Sequence, residues 1–344
     1  MDNINYVCPV CNSVRTDNSS IACKKCGCGY AFCEFFGGEK AYQTWKMMVE
    51  QHKSAYVGAL CKESREIGSS LAVSGDRICF YDAQEKRAVT FRFGSAQPEI
   101  TERVKQVSLS GLYRVFLHTD GALSSSGDDE SGQRRLNDLK DIVYVSTAPK
   151  CTYAVKADGT VAVRGATAFK SQVEKWTDIK SIASEEGYVV ALKADGRVVY
   201  AAPEGSSMER HLASTAEWKN VRKLATSAHY MLALHADGSV SYAGGPGTER
   251  SKVSEWKNIQ DIAADGQYAV GLSADGRVLL AGDYTQLIDF GRKEAGSWTD
   301  MVFVAAGRSV IAGVSATGEL RMVGNIIRDD SLRQSFKDMM CKAE

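Results

Sequence analysis

Six of the ten cysteines in this 344-residue chain lie between residues 8 and 33, and their spacing is typical of a metal site. Cys8 and Cys11 form one Cys-x-x-Cys pair, and Cys23 and Cys26 form a second pair after eleven intervening residues. Each pair can place two thiolates on one ion, and four thiolates complete the tetrahedral shell that structural Zn²⁺ adopts. The pattern predicts one bound zinc ion, with free or redox-active thiols as the alternative.

Cys28 and Cys33 leave the ligand set open, because six thiols exceed one tetrahedral site and are too few for two sites of four. Cys28 can replace Cys26, since the run Cys-Lys-Lys-Cys-Gly-Cys offers both spacings. The segment 1–38 resembles a zinc ribbon. A module of this size cannot bury a sufficient core, so we expect the metal to supply its folding energy.

The charge balance argues against a grip on nucleic acid by the chain as a whole. Lys plus Arg and Asp plus Glu both number 42, so the net charge is zero, whereas nucleic-acid binding usually shows as a basic excess. No stretch approaches the roughly 18 apolar residues of a membrane span, and the first residues lack the features of a secretory signal. Together with the clustered cysteines, this predicts a cytoplasmic protein with reduced thiols and no membrane partner.

Residues 39–66 are predicted to form a helix that positions the cysteine module. They contain no Pro, and Tyr42, Trp45, Val49, His52 and Tyr56 recur at spacings of three and four residues. This face either packs the module onto the next domain or forms a dimerisation or partner surface.

From residue 67 the sequence repeats itself. Two weaker copies open at Thr101 and Leu139, and four clear copies open at Trp176, Trp218, Trp256 and Trp298. The copies begin 38, 37, 42, 38 and 42 residues apart, close to the period of about 40 that a β-propeller blade requires. Each copy predicts three strands, of which the second and third are joined by an Asp-Gly hairpin.

Two partial copies at the ends of the chain predict a seventh blade. Residues 335–339 match only the opening strand of the unit, and residues 71–81 match only its later strands. Pairing of these N- and C-terminal strands would close the ring and remove two exposed sheet edges. The predicted fold is therefore all-β: a seven-bladed β-propeller over residues 67–344, preceded by the zinc ribbon and the connecting helix.

The repeated unit, Trp-x-x-Ile-x-x-Ile-Ala followed by Ala-Leu-x-x-Asp-Gly-x-Val, resembles that of the regulator-of-chromosome-condensation family of seven-bladed propellers. The resemblance covers about residues 67–344. It implies a rigid scaffold that binds macromolecules, and with the zinc ribbon it is identified as a bacterial type.

Motifs of known catalytic sites are missing from the sequence, which contains no nucleophile elbow, P-loop, metalloprotease helix or paired-carboxylate motif. The Asp of each Asp-Gly recurs from blade to blade and is predicted to form turns, and the repeated Trp is predicted to pack the blades. We therefore expect a protein that is not an enzyme and has no evident small-molecule substrate.

The segments between blades vary, and loops carry binding on a rigid scaffold. Arg and aromatic side chains are common interface anchors. The candidate partner-binding residues are Arg87, Phe91, Arg92 and Phe93 in segment 82–98, Arg134 and Arg135 in 124–135, Met208 and Arg210 in 203–216, and Tyr284, Phe290 and Arg292 in 283–297. The short turns on the other face are a second candidate surface. The leading hypothesis is a protein-interaction module or adaptor; the alternative is a nucleic-acid-associated protein that uses the zinc ribbon.

Overall fold

The structure is a computed structural model. It describes residues 6–7, 14–15, 70–74, 77–83, 85–92, 98–110, 113–245, 249–264, 266, 268–282, 291–307, 310–316 and 319–324. Several predicted features lie outside these residues: the six clustered cysteines, the connecting helix 39–66, the strand 335–339, and Phe93, Tyr284 and Phe290.

Seven antiparallel sheets follow one another along the described residues, in the order that the repeat predicts. Sheet 1 has four strands and sheets 2 to 7 have three, each listed from the inner to the outer strand. Sheet 1 is β3 (Ser70–Ser74), β4 (Arg77–Asp82), β5 (Arg87–Arg92) and β6 (Glu99–Glu102); sheet 2 is β7 (Val104–Ser110), β8 (Tyr113–His118) and β9 (Leu123–Gly127); sheet 3 is β10 (Ile142–Ala148), β11 (Cys151–Lys156) and β12 (Val161–Gly165). Sheet 4 is β13 (Ile179–Ser184), β14 (Val189–Lys193) and β15 (Val198–Ala201); sheet 5 is β16 (Val221–Ser227), β17 (Tyr230–His235) and β18 (Val240–Gly244); sheet 6 is β19 (Ile259–Ala264), β20 (Tyr268–Ser273) and β21 (Val278–Gly282); sheet 7 is β22 (Met301–Gly307), β23 (Val310–Ser315) and β24 (Leu320–Gly324). A separate pair, β1 (Tyr6–Val7) and β2 (Val14–Arg15), lies near the start of the chain.

The core lies between successive sheets. In β17, five consecutive residues from Tyr230 to Leu234 are buried, because a middle strand is covered on both faces. Tyr188 and Val190 of sheet 4 pack in one apolar cluster with Met231 and Ala233 of sheet 5. The second strands therefore read as continuous apolar runs rather than as alternating ones.

The Asp-Gly hairpins of sheets 2 to 6 each connect their sheet to the next one. The carbonyl of Gly196 accepts a hydrogen bond from the backbone N–H of Val221, which opens sheet 5, at 3.2 Å. Gly159 and Gly238 bond the next sheet in the same way, each at 3.0 Å. Gly196 has a φ of 82°, which favours glycine. The surface that carries these hairpins is called the hairpin face below.

Sheet 1 differs from the expectation for residues 71–81. We predicted later strands there, but Leu71–Ser74 belongs to the inner strand β3, and the residues from Arg77 to Tyr81 belong to the second strand. The third strand is β5, in a segment predicted to be a loop. Within its Arg-Ala-Val-Thr-Phe-Arg sequence the four central residues are all buried, so both faces of the strand are covered.

Short helices run between the sheets, where propeller blades often have a fourth strand. They are α1 (Lys170–Val173), α2 (Ser207–Leu212) and the 3₁₀ helices Ala213–Glu217, Glu249–Glu255 and Arg292–Ser297. Helix α2 starts at Ser206, whose hydroxyl accepts a hydrogen bond from the Glu209 N–H at 3.0 Å. In the part of the chain that is described, no helix combines the length and apolar character needed to cross a lipid bilayer.

Candidate functional site

Three of the predicted partner-binding residues are core residues. Phe91 is 3 % exposed, Met208 is 9 % exposed and Arg292 is fully buried. The guanidinium of Arg292 lies over the ring of Tyr268, 5.1 Å from its centroid. These side chains pack sheets or inter-sheet segments together, so they are not available to a partner.

The other predicted anchors that are described do not form one surface. Arg134 caps the outer edge of β9, where its guanidinium donates to the Ser125 carbonyl at 3.0 Å. Arg87 lies 3.8 Å from the Asp82 carboxylate. Arg92, Arg135 and Arg210 are exposed, but they belong to three different inter-sheet regions or strands. The structure therefore does not bring this predicted set together.

The seven inner strands line an axial channel of about 540 Å³. Its polar groups are largely bonded from sheet to sheet. The hydroxyls of Ser108 and Thr147 are 2.9 Å apart, and Gln106 bonds both backbone groups of Val145 at 2.9 and 3.0 Å. Across the described residues, no group of three or more His, Cys, Asp or Glu side chains is placed to hold a metal ion.

The two histidines that share a repeat position have structural contacts. Nε2 of His118 lies 2.7 Å from the Ser124 hydroxyl, and Nε2 of His235 lies 2.8 Å from the Ser241 hydroxyl. Each histidine thereby connects the second strand of its sheet to the third. These contacts hold the hairpin end of the sheet.

A β-bulge interrupts the inner strand of six sheets at the same repeat position. The pairing register shifts by one residue just after the strand begins, at the hairpin end of the sheet. Bulges re-aim a side chain and are common beside functional sites. The six bulge residues, called the bulge ring, are Lys105, Val143, Lys180, Arg222, Gln260 and Val302.

Most of the bulge ring faces solvent at the channel mouth on the hairpin face. Lys105, Lys180 and Arg222 are exposed, and Val143 is 37 % exposed. Arg222 also donates to the Ile259 carbonyl of the next sheet at 3.0 Å. The sequence analysis missed this ring. The residue before each bulge position is apolar in all six copies, but the bulge residue and the residue after it both vary in chemistry, so the sequence does not single out the bulge.

A second set of cations follows the opening residue of three copies. Lys140, Lys219 and Lys257 are all exposed and are called the lysine row. The other three copies carry Glu102, Thr177 and Thr299 at the position of the lysine row. The two repeat positions therefore hold six cations and one carboxylate in twelve places, so cations predominate on this inner rim of the hairpin face although the chain as a whole is neutral.

A groove of about 1260 Å³ continues from this rim. It begins at Arg222 and Gln260 of the bulge ring and passes Lys257 of the lysine row. Its lining also includes the carboxylates of Asp237 and Asp275, together with Gly296 and Trp298. The rim and the groove form one candidate binding surface.

Solved structures share the fold at low sequence identity. The CRINKLY WD40 ectodomain of the receptor kinase ACR4 from Arabidopsis thaliana has a TM-score of 0.59 at 16 % identity, covering 75 % of this chain and 96 % of that one. Human WBSCR16 has a TM-score of 0.54 at 15 % identity, covering 72 % and 87 %. Prp20p, the RCC1 of Saccharomyces cerevisiae, has a TM-score of 0.52 at 13 % identity, covering 80 % and 86 %.

These similarities establish the fold alone. No family model matches the chain, and no curated protein matches it in sequence. The described residues form an RCC1-like β-propeller of seven sheets.

Proposed function

We propose that this chain is a non-catalytic protein-interaction module whose hairpin face binds an acidic segment of a protein partner. The observation that carries the proposal is the charge of the inner rim, where two repeat positions hold six cations and one carboxylate, Glu102, in twelve places. Complementary charge steers association and selects partners. A rigid propeller presents these side chains with little loss of conformational entropy on binding.

The surroundings of the rim favour a protein over a nucleic acid. Ionised carboxylates stand around it on the hairpins, and hydrogen bonds from the residue two positions further on hold their pKa values below the usual range. These carboxylates are Asp120, Asp158, Asp195 and Asp237. A phosphate backbone carries a charge on every unit and would meet repulsion there, whereas an acidic segment of a protein can place its few carboxylates over the cations alone. Prp20p, which shares the fold, is described with its binding to Gsp1p and histones.

We further propose that Cys8, Cys11, Cys23 and Cys26 hold one structural Zn²⁺, in a reducing compartment such as the cytoplasm. The spacing supports this, and so does the pairing of β1 with β2, in which Val7 faces Val14. The six residues that connect these paired strands include Cys8 and Cys11.

We also propose that the seven sheets form a closed ring. Support comes from the packing of β3 against β22, with the rings of Phe80 and Phe303 5.8 Å apart. A Cβ on Gly307 would lie 2.8 Å from the Val73 carbonyl oxygen. The pairing of residues 335–339 with sheet 1 stays a prediction from the sequence.

A charge-reversal variant tests the binding face. Lys140→Glu, Lys180→Glu and Lys219→Glu change three rim cations that are exposed. The control variant Arg135→Glu, Lys150→Glu and Lys170→Glu makes the same change in net charge at exposed sites away from the hairpin face. Both variants and the wild type are used to capture partners from cells that express the chain natively, and binding of the purified partner is then measured directly.

We expect the rim variant to lose affinity by about ten- to a hundredfold, because each exposed ion pair contributes about 0.2–1 kcal/mol and is replaced by repulsion. The control variant should bind like the wild type, and added salt should weaken the wild-type complex. Equal binding by both variants would contradict the proposal. Capture that disappears after nuclease treatment would assign the face to nucleic acid instead.

A further inference from the structure

The outer edge of sheet 1 differs from the outer edges of the five sheets that follow it. Side chains bond the outer strands of sheets 2, 3 and 4: Arg134 on β9, Glu174 on β12 at 3.3 Å and Gln172 on β15 at 3.3 Å. The 3₁₀ helices Glu249–Glu255 and Arg292–Ser297 pack on β18 and β21 of sheets 5 and 6. Sheet 1 ends instead in a fourth strand, β6, whose outer backbone edge forms no hydrogen bond with any described residue.

Ile100 gives this open edge an apolar side chain. It is 55 % exposed, more than any other large apolar residue that the structure describes. It lies opposite the buried Val89 of β5, so the two share one face of the sheet. The same repeat position, one before the opening residue, is polar in the other five copies, which carry Asp138, Lys175, Glu217, Glu255 and Ser297. The scaffold therefore does not require an apolar residue at this position.

The charged side chains of β6 and its neighbours form three ion pairs and leave one carboxylate over. The pairs join Asp82 to Arg87, Glu99 to Arg114 and Asp120 to Arg103. Glu102 is exposed and forms no ion pair with any described residue. Arg87 lies opposite Glu102 on β5, but its ion pair is the one with Asp82. A cation from another molecule can therefore pair with Glu102 without breaking a pair that the chain already makes.

We propose that the edge of β6 binds an extended segment of another protein, which adds a fifth strand to sheet 1. In this mode of recognition the backbone hydrogen bonds supply affinity and alternate side chains supply specificity. An antiparallel segment places an apolar residue opposite Ile100 and, two residues earlier, a Lys or Arg opposite Glu102, because alternate residues of a strand share one face. The motif is a basic residue, any residue and an apolar residue. This site goes beyond the proposed function and is separate from the cationic rim.

A second copy of this chain fits the edge poorly. Antiparallel pairing of β6 with itself places Glu99 of each copy opposite Glu102 of the other, and like charges directly opposite each other are destabilising. Ile100 then lies opposite Thr101 rather than an apolar residue. Charged residues on an edge strand commonly prevent this kind of self-pairing. The edge therefore favours a different chain, one that brings a cation.

Fluorescence anisotropy on the full chain tests the site with labelled ten-residue peptides. The first has Lys-Thr-Ile at its centre, and two others replace the Ile by Ser or the Lys by Glu. We expect the first to bind best and the other two to bind at least fivefold more weakly. Equal binding of these three peptides would overturn the proposal.

Two further peptides test for backbone pairing, because they carry an N-methyl group on the Thr or on the Ile. Only alternate N–H groups of a strand point towards a given neighbour, so one methylated peptide should lose binding and the other should keep it. Equal binding of the two methylated peptides would contradict the addition of a strand.

The matched protein variants place the site on β6. Ile100→Lys combined with Glu102→Lys removes both side-chain contacts, and both residues are exposed. The control, Ala216→Lys combined with Glu217→Lys, makes the same change in net charge at exposed residues of another copy. We expect the first variant to weaken binding of the Lys-Thr-Ile peptide at least tenfold and the control to stay within twofold of the wild type. Equal binding by both variants would refute the assignment, as would a wild-type dimer that only the first variant abolishes, because such a dimer would assign the edge to a second copy.

Discussion

At the scale of single residues, the tyrosine that opens the second strand shows how the repeat holds itself together. The Tyr188 hydroxyl lies 2.8 Å from the Ser227 carbonyl and 2.7 Å from the Tyr230 carbonyl of the next sheet. The Tyr230 hydroxyl in turn donates to the Tyr268 carbonyl at 2.6 Å. Burial raises the pKa of Tyr188, so the phenol stays a donor at neutral pH.

Replacing Tyr188 by Phe should therefore lower the free energy of unfolding by about 1–3 kcal/mol, because two buried carbonyls lose their donor. Tyr200→Phe is the control, since the Tyr200 side chain is half-buried and makes no hydrogen bond with the described residues. Urea unfolding measures both variants. Equal effects of the two substitutions would show that the hydroxyl of Tyr188 does not join the sheets.

The same scale explains which site predictions failed. Met208 and Arg292 were chosen for their residue type, but residue type alone does not distinguish an interface anchor from a core residue. Arg292 occupies the position six residues before the opening Trp, where Leu212 stands in an earlier copy, and both are fully buried. An alignment of the inter-blade segments of all copies would have revealed this buried position. The residues of one segment taken alone do not reveal it.

At the scale of elements, the strands were predictable and the bulges were not. Each strand follows from its apolar pattern and each hairpin from its Asp-Gly pair, and both are local features of the sequence. A bulge exists only in the pairing of two strands, where two residues face one. The sequence therefore predicts β13 and β14 but not the outward position of Lys180, which results from the bulge in their pairing. Sheet 1 was misassigned for a related reason, because its second hairpin lacks the Asp-Gly signal.

Gly307→Ala tests the contact between sheet 7 and sheet 1. Its new Cβ would lie 2.8 Å from the Val73 carbonyl oxygen, so one sheet must shift, and we expect a loss of about 1–3 kcal/mol in the free energy of unfolding. Gly266→Ala serves as the control, because no atom lies within 4 Å of the position of its Cβ. If the melting temperatures of the two variants matched, β3 would not lie against β22 in solution.

At the scale of the whole molecule, the period of the repeat predicted the number of sheets and the placement of the core between them. Net charge was less informative. Its value of zero excluded a basic chain but gave no sign of the excess of cations on the rim, because these lysines and arginines are far apart in the sequence and occupy equivalent positions in successive sheets. A sum over the sequence contains no information about such clustering.

The zinc proposal also belongs to this scale, because it concerns a module separate from the seven sheets. Metal analysis should give one zinc per chain, and the double variant Cys8→Ser and Cys23→Ser should give none while the melting of the propeller is unchanged. Cys61→Ser, outside both pairs, should retain the metal. Two zinc ions per chain would mean that Cys28 and Cys33 recruit further ligands. A wild-type chain without zinc would contradict the site.

The repeated bulge has an evolutionary consequence. At the bulges of Lys105, Val143 and Lys180 the side chain is exposed, so these residues can be exchanged without repacking a sheet. The same bulge in sheet 7 leaves Val302 only 5 % exposed, so the neighbouring sheets also decide which side chains reach solvent. Evolution or protein design can therefore substitute these exposed residues one at a time while the fold stays constant.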